Sequence, residues 1–274
     1  MSGKMKSAPV YFTIGQVQHN PLLNLGLYLP DIQERMRKAG YPDFKRAVQM
    51  QFDLSPAMVA RDASEAPQPS AQRVERFLFA DVASTSGFVF QPNSLSFQTT
   101  EYDTFESFLT QLKLGLGILG DAVGGLSFTE RLGLRYLDAV APAEGEVPKQ
   151  YIADELLGLP ARMPDTKFAY SFTEAVLVAE GVGQVVSRTI LQNGMLGFPP
   201  DLHPDTLKVS ERFRTIHGEH AVIDTDGSFT ERQAFDIATV ESRLRGLHGL
   251  IDKTFHATVT DHARKAWGAT REQT

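Results

Sequence analysis

Residues 76–100 read RFLFADVASTSGFVFQPNSLSFQTT, and this stretch decides the fold class. Phe77/Phe79, Phe88/Phe90 and Leu95/Phe97 alternate with other residues at a period of two, and a Ser-Thr-Ser-Gly cluster and a Pro-Asn pair separate the three runs. Period-two alternation interrupted by turn residues predicts three short antiparallel strands in a meander. A helix is predicted next, over 103–123, with Asp103 as its N-cap and Glu106 completing a variant capping box; Phe105, Phe108, Leu109, Leu112 and Leu116 then recur at helical spacing. Gly115 and Gly117 are expected to fray it, or to let it pack closely on a neighbour.

Working outward, Val10, Phe12 and Ile14 alternate as a strand ended by Asn20-Pro21. Pro30, the acidic Asp31 and Glu34, the basic Arg35, Arg37 and Lys38, and then Gly40 follow the charge polarity of a helix over 30–39. Val48 to Leu54 predicts a second strand and Ser64 to Gln72 a loop. Strands follow at Phe128–Tyr136 and across Phe168–Leu191, the latter a hairpin turning at Glu180–Gly183, and another runs from His220 to Asp226. A short helix is expected near Ile152–Leu157. Val240, Leu244, Leu247, Ile251, Phe255 and Val259 form an apolar stripe on a long final helix. Together these predict an α+β fold: a mainly antiparallel, curved sheet packed by three principal helices near 30–39, 103–123 and 235–266. Pro and Glu enrichment at 141–149 divides it into two related halves, 1–140 and 151–274, or marks a long loop within one compact domain.

With 274 residues the chain can bury a real core, and with no cysteine it has no disulfide, thiolate metal site or cysteine nucleophile. A net charge of -6 argues against broad nucleic-acid binding. Leu112–Val123, broken by Lys113, Asp121 and glycines, is too short and too interrupted to span a membrane. The amino terminus lacks an apolar leader run, and the expected location is the cytoplasm. No phosphate-binding loop, nucleophile elbow or dinucleotide fingerprint is present.

Four constellations carry candidate chemistry. His220, Asp224 and Asp226 share one face of a strand, and imidazole with two carboxylates suits a divalent metal such as Mn, Fe or Zn; the alternative is a solvated strand face feeding the Asp226-Gly227 turn. Arg131 and Arg135 share a strand face and can grip a phosphate or carboxylate ligand, or pair with a carboxylate of the chain itself. His248, Asp252 and His256 lie one turn apart along a helix, either as metal ligands or as the polar border of the buried stripe. Phe88, Phe90 and Phe97 form either core or a stacking platform for RNA bases.

The order of segments also resembles a known family. Its carriers are Ala8-Pro9, Leu95-Ser-Phe97 followed by Glu101–Phe108, Arg131-Leu-Gly-Leu-Arg135-Tyr136, Ile223–Asp226, and Leu247–Ile251 through Phe255 to Asp261. Over nearly its whole length the chain resembles a sporadically distributed family of conserved hypothetical proteins of bacteria and archaea. That resemblance implies a compact α+β fold and a cytoplasmic accessory role, with no established activity, and its patchy occurrence suggests phage-defence or toxin–antitoxin loci. The leading expectation is therefore a non-catalytic interaction protein. It would bind a protein partner, operon-encoded or a second copy, through sheet edges and the final helix, with Val240, Leu244, Leu247, Ile251 and Phe255 as interface and no resident cofactor. The alternatives are a metal-dependent hydrolase or nuclease using His220, Asp224 and Asp226, and an RNA-binding ferredoxin-like module.

Overall fold

The computed structural model describes residues 5–52, 71–163, 165, 169–202, 204 and 206–268. Nine strands form one sheet: β1 (Val10–His19), β2 (Asp43–Phe52), β3 (Ala71–Ala80), β4 (Ser86–Gln91), β5 (Ser94–Thr99), β6 (Phe128–Val140), β7 (Tyr170–Ala179), β8 (Gly183–Met195) and β9 (His217–Ala234). Their order is β2-β3-β4-β5-β1-β6-β9-β8-β7, and every pairing is antiparallel. Among the described residues five α-helices accompany them: α1 (Leu25–Lys38), α2 (Phe105–Val123), α3 (Glu211–Arg214), α4 (Ile237–Thr258) and α5 (Asp261–Ala266). The α+β class and the antiparallel sheet agree with the sequence reading. The loop between β6 and β7 contains the expected division at 141–149. Strands from both sides of it meet in the β6–β9 ladder.

The meander is β3-β4-β5, with Phe88 opposite Phe97 and Phe79 opposite Phe88. All three rings face the layer of α1 and α2, where Phe88 and Phe97 pack 4.8 Å apart and Phe97 meets Phe108 at 5.1 Å. Phe88, Phe90 and Phe97 are at most 3% exposed. They are core, so the stacking platform for RNA bases is corrected.

Helix α2 does not fray. At Gly115 a Cβ would come within 2.4 Å of the Phe88 ring, so the glycine lets helix and sheet approach closely. Its N-cap is Thr104, whose hydroxyl accepts from the Ser107 amide at 3.2 Å, and not Asp103. Glu106 leaves the expected capping box to accept from Arg245 of α4 at 2.8 Å. Helix α1 begins five residues before Pro30, which stands inside it. The proline costs it the bond to the Gly26 carbonyl, and both residues are exposed, so water can serve that carbonyl.

The second strand starts at Asp43, five residues earlier than its apolar alternation; Leu54, residues 64–70 and Phe168 lie outside the described residues, while Ala71 and Gln72 already belong to β3. The segment 148–162 holds three 3-10 turns in place of one short helix. The final helix stops at Thr258, where Val259 turns extended to bridge Ile152 and Thr260 caps α5.

Helices α1, α2 and α4 cover one face of the sheet. The opposite face is covered at one end by the segment 196–216, where Leu202, Leu207 and Phe213 pack on Tyr11, Phe12 and Leu137. Beyond it, the same face carries polar groups on β1, β6 and β9 and exposed apolar side chains, Phe172, Val176 and Val178, on β7.

Candidate functional site

The polar face is centred on Arg135. Strand register puts Asp226 directly opposite Arg135, Arg188 opposite Asp224, and Glu174 opposite Arg188. The Arg135 guanidinium donates from Nε and Nη2 to the two Asp224 oxygens, both at 2.7 Å, and from Nη1 and Nη2 to Asp201 at 2.7 and 3.2 Å. Arg188 donates to Asp224 at 3.3 Å and to Glu174 at 2.7 Å. The result is a charge chain, Asp201–Arg135–Asp224–Arg188–Glu174, running from the covering segment to β7. The Asp224 side chain is fully buried and that of Arg135 is 9% exposed. Burial works against the Arg135 charge, but the bonds from Asp224 and Asp201 outweigh it and hold the group protonated; the Arg135 bond in turn holds Asp201 below the usual carboxylate range. A forked arginine used on both sides in this way clamps the segment 196–216 to the sheet and has little left for a ligand.

His220 lies on the face that the sequence predicts, but apart from the carboxylates. Four residues of extended chain separate it from Asp224 by roughly 13 Å, far more than two ligands of one ion allow. Its Nδ1 lies 2.9 Å from the Gly218 carbonyl and its Nε2 lies 2.6 Å from the Gln192 amide nitrogen, so with the proton on Nδ1 the ring donates at one nitrogen and accepts at the other. Burial lowers its pKa. Asp226 is raised, chiefly by burial. Among the described residues no group of three or more His, Asp or Glu is placed to hold a metal ion, and the expected His220–Asp224–Asp226 site is not assembled.

Arg131 and Arg135 do share a face, with different surroundings. The Arg131 guanidinium lies across Gly133, where a Cβ would come within 2.9 Å of Nη1, and it donates weakly to Gln16 at 3.4 Å. Gln16 continues to Ser96 at 3.3 Å. A row of polar groups, Ser96, Gln16, Arg131, Ser228 and Gln184, thus crosses the open face toward Val178 on β7.

On the helix side, Val240, Leu244, Leu247 and Ile251 are at most 4% exposed and Phe255 is partly buried; the stripe packs on β6, β8 and β9. Its role as an outer interface is corrected, because the chain's own sheet uses it. His248, Asp252 and His256 do not converge either. His248 stacks on Phe105 at 4.1 Å and its Nδ1 is 3.3 Å from the Tyr136 hydroxyl, whereas His256 faces Asp252 at 3.6 Å.

Sequence reasoning missed Asp138. It lies two residues beyond Tyr136 in a strand otherwise apolar to its end, is 7% exposed, and is pushed up to about 8 by burial and by the charge of Asp224. It also missed the character of β7, an edge of the sheet. Among the described residues the backbone bonds of Tyr170–Val178 run only to β8. Tyr170 is 73%, Phe172 50%, Val176 55%, Leu177 49% and Val178 78% exposed. Its one charge, Glu174, is bound to Arg188. The other edge, β2, carries Asp43, Lys45 and Arg46. Inserted charges are how sheets protect an edge from foreign strands, and β7 lacks that protection. The composition was legible, ten residues with a single charge, no proline and five large apolar side chains, but such a run reads as an interior strand and not as an edge.

No family model matches the chain. No curated protein matches it at a significant level either.

Proposed function

We propose that this protein is a non-catalytic interaction component that takes up an extended polypeptide strand on β7. One observation carries this reading: β7 is a ten-residue edge strand with exposed apolar side chains and no backbone bonds on its outer side among the described residues. In strand addition the main chain supplies hydrogen bonds and alternate side chains supply selectivity. Tyr170, Phe172, Val176 and Val178 would be the selecting row, on the same face as Arg188 and Asp224. The saturated Arg135 clamp supports the non-catalytic part, since its charges are engaged with one another.

The test is hydrogen exchange over residues 170–179, read on the purified protein and on the complexes recovered from its host, beside a Val176→Lys variant. Slow exchange of the outward β7 amides in the assembled protein, lost in the variant together with the complex, is the expected result. Complexes that survive Val176→Lys with unprotected β7 amides would overturn the reading.

A further inference from the structure

We infer that the strand added to β7 is β7 of a second copy, antiparallel and in a register centred on Glu174; this rests on the strand-addition reading above. A two-fold axis makes an interface self-complementary, and directly opposite residues of an antiparallel pair share a face of the sheet, so the axis must pass through a residue pair if the helices of both copies are to lie on one side. The candidate registers are then few. A centre at Thr173 sets Phe172 against the Glu174 carboxylate, and a centre at Ala175 sets Glu174 against Val176. A centre at Glu174 pairs the whole of 170–178, with Tyr170 opposite Val178 and Phe172 opposite Val176, each occurring twice. Aromatic against β-branched is a favourable cross-strand pairing.

The remaining pair, Glu174 against its own counterpart, is unfavourable alone. Each Glu174 is bound by Arg188 at 2.7 Å, however, and Arg188 also touches Asp224. The two-fold therefore generates an Arg–Glu–Glu–Arg row with balanced charge, continuous with the charge chain of each copy.

The chain has no cysteine, so one introduced thiol reports one contact. Opposite residues in this register bring Cα atoms to about 4.5–5.5 Å, within disulfide range. Glu174→Cys is expected to cross-link to its own copy on oxidation. Phe172→Cys and Val176→Cys should each stay uncrosslinked alone and cross-link when mixed. Wild-type protein should show twice the chain mass by light scattering, and Val176→Lys the single-chain mass. A single-chain mass for wild type, with no cross-link from Glu174→Cys or from the mixture, would overturn the second copy; a cross-link from Phe172→Cys alone would overturn the register. In a monomeric protein, β7 amides protected by a different polypeptide would leave strand addition standing and remove only the self-pairing. Unprotected β7 amides in every complex would remove both.

Discussion

At the scale of single residues, the molecule contrasts a charge that is fully answered with one that is not. Asp224 is buried against Arg135, so Arg135→Ala is expected to destabilise by about 3–5 kcal/mol in urea unfolding, because a buried carboxylate loses its fork. Asp201→Ala, at the exposed end of the same fork, should cost no more than about 1 kcal/mol. Adding Mn or Zn ions should leave the melting temperature unchanged; an upward shift abolished by Asp224→Asn would restore a metal role. Asp138 behaves in the opposite way. Its carboxyl is raised to about 8 in the fold, from an ordinary value near 4 when unfolded. The folded state therefore holds the proton more tightly, and the stability this contributes is full below about pH 4 and lost as pH rises through about 8. The difference in unfolding free energy between wild type and Asp138→Asn should shift by a few kcal/mol across that window, with wild type losing stability toward alkaline pH. The sequence showed that Arg131 and Arg135 share a face of one strand and that His220, Asp224 and Asp226 share a face of another, because alternation fixes each, but not that the two strands are neighbours. It could not show that Asp201, from an irregular segment, would close the fork, since no local pattern specifies where such a segment crosses the sheet.

Elements were legible wherever periodicity was strong and less so where tertiary contacts overrode local preference. The meander of β3, β4 and β5 and the stripe of α4 stand where alternation and helical spacing put them. In α2 the local signals misled: two glycines predict weakness, yet only packing says which of them matters. Gly115→Ala should destabilise by about 1–3 kcal/mol, because the added methyl meets the Phe88 ring. Gly117→Ala, with nothing within 4 Å of its Cβ, should instead stabilise the helix by about 1 kcal/mol. Thermal or urea unfolding of the two variants side by side measures both signs. The stripe of α4 carries a similar lesson, since apolar spacing announces burial without naming the partner. Leu247→Ala should cost about 2–5 kcal/mol and leave assembly unaffected, because Leu247 is fully buried in the chain's own core.

Across the whole molecule, the two sheet edges differ more than the two faces. One edge is guarded by charge; the other is apolar, with the open polar face beside it. Sequence reading placed the hairpin of β7 and β8 but not its position at the margin, because strand order in a large sheet follows long-range pairing. The same order has a consequence for the timing of synthesis. β1 precedes the other eight strands in the chain and lies at the middle of the sheet, between β5 and β6. Val17 cannot meet Leu95 until roughly 80 more residues have been made, a delay of about 4–16 s at ordinary ribosomal rates. For that interval an apolar strand holding Tyr11 and Phe12 has neither neighbour, so soluble yield should depend on holdase chaperones and on translation speed well before the stability of the finished fold counts.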